Sequence, residues 1–490
     1  MQTISEQLER EGENPRNLDG TDGEKLLTRM EQMYRQITED ETHYDLMCDY
    51  WRGAHANPYA PSDQRAEIRA LRKRAITNLI PLAVNIPAQL SFADGFRRNE
   101  EDFPEEWQVW ENSGFKSRQT SAFTSSLVYG GAYISVENLG TGEPRLCLLS
   151  SRNTVAFYHD PVNDIHPAFA MTIKHYPRFQ EPGLAVYYDA EKTVHWDMDE
   201  TGEFSNPREY PHGLGKTPMR RLPCMVDDEG VSRGVVEMLI PAQDRINQTS
   251  FDLLATQSFS AFKVRWASGM MGDPILDENG EPKVDADGNQ MYRPVPIDQS
   301  TFLQTDDPQA RFGTMDETPL DGFLEAREND IRSFAVQGQL PPHSLLGNMS
   351  NLSAETLVAA MSQTQRFAHV LKTAWGQAIV DLMHLVAIDL GVVGPDEEYE
   401  AEVRWRDMEE HTLGAQVDAL AKGAESLQIP VRGLWSRFPG TTAGEIARWE
   451  RLREEEYEAG FDVPDSVDDV NMREAVEPPT GDGIDLGEDE

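Results

Sequence analysis

Apolar positions recur every three to four residues from Glu24 to Tyr50, with Leu27, Met30, Met33/Tyr34 and Ile37 on one face, which predicts an amphipathic helix. Gly53 in "YWRG" (50–53) and the Asn57-Pro58 turn end it, and helical spacing returns over 65–92. Two short helices are expected between Trp107 and Tyr129, the second closed by Gly130-Gly131. The period then changes to two. "AYISV", "RLCLL", "TVAFYH", "AFAMTIKHY", "LAVYYD" and "KTVHW" read as strands separated by turn residues. Together these segments describe an α+β body ending near Pro223.

Beyond it, residues 232–266 carry one long helical pattern, with a bend or restart expected at Pro241. At 100° per residue, Arg245, Thr249, Asp252, Thr256, Ser260 and Lys263 form a polar stripe. Ile246, Phe251, Leu253, Leu254, Phe259 and Phe262 wrap most of the remaining circumference, so this helix needs cover on several sides. "DENG" (277–280) and "DADG" (285–288) predict hairpin turns in a Pro-rich stretch reaching about residue 316. Thr318, Pro319 and Asp321 give a start signal for a further helix up to Gln337. A loop rich in Gly, Pro, Asn and Ser follows, and Ser353 opens a very long helix to Gly391. Residues 396–406 read as a strand. Two or three helices come next, the last opened by the Thr442/Glu445 capping box.

At 490 residues the chain exceeds one ordinary core, and several subdomains are expected. The formal net charge of −41 excludes gripping DNA through a basic surface, which needs Lys and Arg to displace counterions. The basic group Arg65, Arg69, Arg72, Lys73 and Arg74 is read as a solvated helix face rather than a phosphate patch. From Glu454 to Glu490, fifteen acidic residues face a single Arg, a disordered-tail composition that suits either solubility or partner binding. Cys48, Cys147 and Cys224 are too few and too scattered for a disulfide framework or a zinc cluster. With no signal-peptide pattern and no apolar run of spanning length, the chain is expected in a reduced, cytosolic compartment.

The tempting motifs are incomplete. Gly215-Lys216-Thr217 ends like a phosphate-binding loop, but Tyr210 stands where the first Gly belongs, and Pro218 disfavours the required helix. "DADGNQ" begins like a calcium loop, yet Pro296 occupies the position of the bidentate Glu. The His residues do not pair at metal spacing, and no nucleophile elbow is present. Neither enzyme, cofactor nor metal is called for. A nucleotide-dependent DNA-processing enzyme, whose ATP turnover would vanish on Lys216→Ala, and a minor head or adaptor protein remain the alternatives.

One passage stands apart. Between Arg332 and Glu355 no side chain has a formal charge unless His343 is protonated. The order of elements, an α+β body, a descending helix, a hairpin region, an ascending helix, a neutral loop and a very long helix, resembles the portal protein of tailed bacteriophages, especially the type of long-tailed actinobacterial phages. "YWRG", "SFADGFR", "GGAYISV", "HGLGKTP" and above all "SRGVVEMLIPAQDRINQTSFD" (232–252) carry the likeness, over roughly residues 25–460. The resemblance implies a portal fold. After a flexible N-terminus (1–23), a wing would span 24–231, stem helices 232–262 and 317–337, and a clip 263–316. A tunnel loop would occupy 338–353, the long helix and wing return 354–408, and a helical crown 409–460, before the acidic tail (461–490).

It further implies a ring of about twelve copies at a capsid vertex of the virion, assembled in the host cytoplasm. Double-stranded DNA would pass through its channel during packaging and ejection. The implied partners are the terminase large subunit, the head–tail connector, the major capsid protein and a scaffolding protein. Gln339, His343, Asn348, Met349, Ser350 and Asn351 are the expected DNA-facing residues.

Overall fold

The computed structural model describes residues 23–458 except 63–65, 100, 139–142, 180, 262–264, 269–273, 278–279, 286–287, 293–310, 315–317, 348–353, 409–412, 436 and 439–440. In chain order the elements begin with α1 (Gly23–Arg52), α2 (Ala66–Ala75), α3 (Ile80–Leu90), β1 (Ala93–Arg98), β2 (Glu101–Asp102), α4 (Glu105–Asn112) and α5 (Phe115–Tyr129). Strands dominate next, with β3 (Gly131–Glu137), β4 (Arg145–Leu149), β5 (Thr154–Phe157), β6 (Phe169–His175), β7 (Gly183–Tyr188), β8 (Lys192–Met198), β9 (Phe204–Pro211), β10 (Met219–Pro223), β11 (Met225–Val226) and β12 (Ser232–Arg233). Then come α6 (Val235–Ala261), β13 (Arg265–Ser268), β14 (Arg311–Thr314), α7 (Asp321–Gln337), α8 (Pro342–Leu346) and α9 (Ala354–Asp389). The last are β15 (Ala401–Trp405), α10 (Leu413–Leu427), α11 (Val431–Trp435) and α12 (Ala443–Glu458). No described helix is long and apolar enough to cross a membrane.

The chain divides into two compact units. The larger one holds residues 1–56, 78–243 and 331–490. Its centre is an antiparallel sheet of order β5-β6-β7-β8-β9. Alternate residues of this sheet point to opposite faces, and both faces are covered over β5–β8, while the edge strand β9 is largely exposed. On one face, Leu26, Met30, Met33 and Ile37 of α1 pack against Met171, Ile173, Ala185, Tyr187, Val194 and Trp196. On the other, Ala170, Val186 and Tyr188 meet Tyr133, Leu149 and Met219 of the β10-β3-β4 sheet. A third sheet, β15-β1-β2, pairs Ala93 with Trp405 and so joins distant parts of the chain.

The long helix α9 supplies much of this unit's remaining core. Leu371, Trp375, Ile379, Leu382, Met383 and Val386 are fully buried. Trp375 stacks on Phe123 at 4.4 Å between centroids. Its Nε1 donates to the Pro223 carbonyl at 2.8 Å and the Ser126 hydroxyl at 3.2 Å.

The smaller unit holds residues 57–77 and 244–330. Ile68 and Ala75 of α2 pack on Phe251 and Ala255 of α6. The helices α6 and α7 are stitched by Thr249 Oγ1, which donates to Asp330 at 2.8 Å, and by Arg327 Nε, which donates to the Ser250 hydroxyl at 3.1 Å. The two hairpin turns form as expected: Gly280 N–H donates to Asp277 O and Gly288 N–H to Asp285 O. Arg69, Lys73 and Arg74 are exposed, and the Arg72 guanidinium donates to the Pro58 carbonyl, in keeping with a solvated helix face.

Several expected boundaries are corrected. The pattern over 65–92 breaks into α2 and α3, because the side-chain oxygens of Asn247 and Gln243 capture the Thr77 and Leu79 amides at 3.1 and 2.8 Å. Pro241 does not restart α6, which runs unbroken through it. It is exposed, so the residue 237 carbonyl that loses its donor can meet water. Ser232-Arg233 is a strand rather than the helix start, since Gly234 passes so close to the Val128 carbonyl that a Cβ would lie 2.3 Å from it. Residues 265–266, expected to end that helix, pair instead with β14. The helix anticipated from Thr318 begins at Asp321, where the Leu320 carbonyl takes the first helical amides. The strand expected over 396–406 shortens to β15. Thr442 and Glu445 do form the reciprocal capping box, with Thr442 N–H to Glu445 at 2.9 Å and Glu445 N–H to Thr442 Oγ1 at 3.2 Å.

Trp375 gives a direct check on this core. Trp375→Phe keeps an aromatic ring but leaves the Pro223 carbonyl without its donor, an expected loss of about 1–3 kcal/mol. Trp375→Ala adds a cavity and should cost about 3–5 kcal/mol. Denaturant unfolding of both variants would measure the ordering.

Candidate nucleic-acid interface

The neutral passage starts where α7 stops. Leu340 N–H reaches back to the Ala335 carbonyl at 2.8 Å and Gln339 N–H to the Val336 carbonyl at 3.3 Å. That pair of bonds is a Schellman ending, which places the residue between them in the left-handed region. Glycine usually occupies that place, but here it is Gln339, at φ +54°. A side chain held there costs about 1 kcal/mol relative to glycine. Two contacts offset the cost. Leu340 is buried beneath the turn, and the Gln339 carbonyl accepts a 2.6 Å bond from the hydroxyl of fully buried Thr364 on α9. The turn is therefore fastened to both helices that the passage connects.

Past the turn, Pro341 is buried and Pro342 begins the short helix α8. That helix ends at Gly347, φ +69°, with open space around its Cα. His343 is the one titratable side chain from Gly338 to Gly347; its Nε2 is buried and has no hydrogen-bond partner among the described residues. Asn348, Met349, Ser350 and Asn351 lie outside the described residues. Gln339 and His343 are thus the two expected DNA-facing residues whose surroundings are visible, and both sit at the anchored root of the segment.

On the polar stripe of α6, Arg245 is exposed and Asp252 accepts a bond from Gln248 at 3.1 Å. Thr249 is engaged with α7, as above, and Thr256 is half-buried. The Ser260 side chain and Lys263 fall outside the described residues. Gly215-Lys216-Thr217 leads into strand β10, not a helix; Thr217 is buried with its hydroxyl on the Ala168 carbonyl at 3.2 Å. It lacks the helical amides that hold a phosphate. Among the described residues no group of His, Cys, Asp or Glu could hold a metal ion, and the three cysteines are free.

Sequence reasoning missed Thr364, although a signal existed. It shares the apolar stripe that continues through Phe367, Leu371 and Trp375, so a lone hydroxyl there called for a partner. It also missed a cavity of about 520 Å³ beside α1, lined among others by Asp40, His43, Tyr44, Tyr133, Arg221 and Arg233. Burial, reinforced by Asp40, pushes the Tyr44 phenol up to about 12, and burial holds Tyr133 well above its usual range. Both hydroxyls stay protonated, and neither has a hydrogen-bond partner among the described residues.

A family match places this α+β chain, with its helical insertion, in the phage-portal class. Residues 22–459 match the family model for phage portal protein, SPP1 Gp6-like, and the chain belongs to that family. No curated protein matches it. Among solved structures it is similar to the neck of a native GTA particle computed with C12 symmetry, at 14% identity over 75% of this chain and 91% of that one, TM-score 0.42. The neck of an empty GTA particle computed with C6 symmetry follows at 14% identity, 76% and 90% coverage, TM-score 0.40. The virion of a native gene transfer agent particle shows 13% identity, 76% and 91% coverage, TM-score 0.37.

The Thr364–Gln339 bond can be probed from both ends. Thr364→Val, nearly isosteric, should destabilise by about 1–2 kcal/mol and speed hydrogen exchange across 338–346. Gln339→Gly removes the left-handed penalty and should be neutral or stabilising by about 0.5–1 kcal/mol. Exchange mass spectrometry on the two variants reads both outcomes.

Proposed function

We propose that this chain is one wedge of a closed ring of about twelve copies, seated at a single capsid vertex, through which double-stranded DNA is packaged and later ejected. The observation that carries the reading is the family match across residues 22–459. In this reading residues 24–231 and 354–408 form the wing, 232–262 and 317–337 the stem, 263–316 the clip, 338–353 the tunnel loop and 409–460 the crown. The clip would receive the terminase large subunit and afterwards the head–tail connector. The wing rim would meet the major capsid protein, with a scaffolding protein assisting closure. The ring itself performs no catalysis; the motor supplies the work.

Physical chemistry supports an uncharged channel lip. Duplex DNA carries a charge about every 1.7 Å along its axis, so a ring of Lys or Arg would bind everywhere along it and resist sliding. Amide, hydroxyl and thioether groups, such as those of Gln339, Asn348, Met349, Ser350 and Asn351, touch a passing duplex weakly and without reading its sequence. The net charge of −41 acts in the same sense wherever it borders the channel.

Negative-stain imaging and native mass measurement of the purified chain should yield closed rings with a duplex-wide hole; a persistent monomer, alone and in procapsids, would end this reading. The double variant Asn348→Lys/Ser350→Lys should fold and assemble normally but slow or stall packaging in infected cells, measured as DNA per capsid. Normal filling by that variant would remove the neutral-lip argument while leaving the ring.

A further inference from the structure

Two unlike features of the larger unit flank α1. One is an exposed turn. The strands β6 and β7 are joined through a tight turn in which Arg178 N–H donates to Glu181 O at 3.0 Å and Glu181 N–H to Arg178 O at 2.8 Å. The turn holds Phe179 at its tip, 88% exposed, with Tyr176 45% exposed at its base. Arg178 and Glu181 are exposed, and neither has an ion-pair partner among the described residues. The other feature is the cavity described above, whose lining combines aromatic rings (Tyr44, Tyr133, Phe157) with charges of both signs (Asp40 and Glu237, Arg221 and Arg233).

The two lie on different flanks of the same helix. Tyr34 and Glu41 are the α1 residues beside Tyr176; after burial, they are what pushes its hydroxyl up. Gln36, Asp40, His43 and Tyr44 line the cavity. At 100° per residue the two sets are centred roughly 130° apart around α1. A head-to-tail ring requires this arrangement: two different surfaces on separate flanks of one subunit, each complementary to the other. An isologous dimer would require one self-complementary patch instead.

We propose that the exposed tip bearing Arg178, Phe179 and Glu181 of one copy seats in this cavity of the next copy, an inference that rests on the ring reading above. Phe179 enters among Tyr44, Tyr133 and Phe157. Arg178 turns toward Asp40 and Glu237, and Glu181 toward Arg233. The aromatic tip supplies buried area, while the flanking pair of opposite charges fixes direction, so that copies add in one sense only. The unpaired phenol hydroxyls of Tyr44 and Tyr133 become donors to the hairpin's exposed carbonyls.

The tip is so exposed that Phe179→Ala and Phe179→Glu should fold as the wild type does by circular dichroism. Ring formation at a fixed concentration should fall by at least about tenfold. The double variant Phe179→Cys/His43→Cys should give, on oxidation, a ladder of covalently linked copies absent from either single variant. Wild-type rings, undiminished rings from both Phe179 variants and no ladder would together overturn the docking while leaving the ring reading intact. A wild-type chain that never closes into rings would remove that reading first, and the docking with it.

Discussion

A single hydroxyl sets the path of the neutral segment. Thr364 reaches from α9 to the Gln339 carbonyl, and the Schellman bonds at the end of α7 hold the same residue from the other side. Without both, a glutamine would not remain in a left-handed conformation, and the chain would leave α7 in a different direction. The uncharged residues beyond inherit their starting point from this turn. Thr364 lies on the same buried stripe of α9 as Phe367, Leu371 and Trp375, which makes the anchor firm.

Charge is managed differently elsewhere. The body keeps its cations close to its carboxylates: Arg220 pairs with Asp381, Arg406 with Asp94, Arg97 with Asp102 and Lys174 with Glu137. Half-buried Glu137 also accepts bonds from Ser135 and Tyr188, so the anion is satisfied where little water reaches it. These four cations are thus engaged by carboxylates, against a chain whose net charge is −41.

Much of this order could be read from residue types alone. Strand alternation in 132–196 was clear because one face of each strand meets a different layer, and the helix ends marked by Gly53, Gly130 and Thr442 carried their own local chemistry. What periodicity could not show was competition from far away. The break between α2 and α3 comes from Gln243 and Asn247, over 160 residues downstream, taking backbone amides that a continuous helix would have used. Ser232-Arg233 lost its helix to the crowding of Gly234 against Val128. The Gln-Asp-Arg-Ile-Asn run that served as a family signature therefore also has a local structural job. Of the expected DNA-facing set, the lack of charge was legible; the partner that the lone Thr364 hydroxyl called for was not, because it is a carbonyl 25 residues away.

The pairing of β1 with β15 has a consequence for synthesis. Ala93 finds Trp405 only after roughly 300 further residues have been made, including residues 244–330 of the smaller unit. The larger unit cannot close its third sheet, nor bury the Trp375 stretch of α9, while the ribosome is still producing the insertion. The body therefore becomes complete only after Trp405 has emerged, late in synthesis.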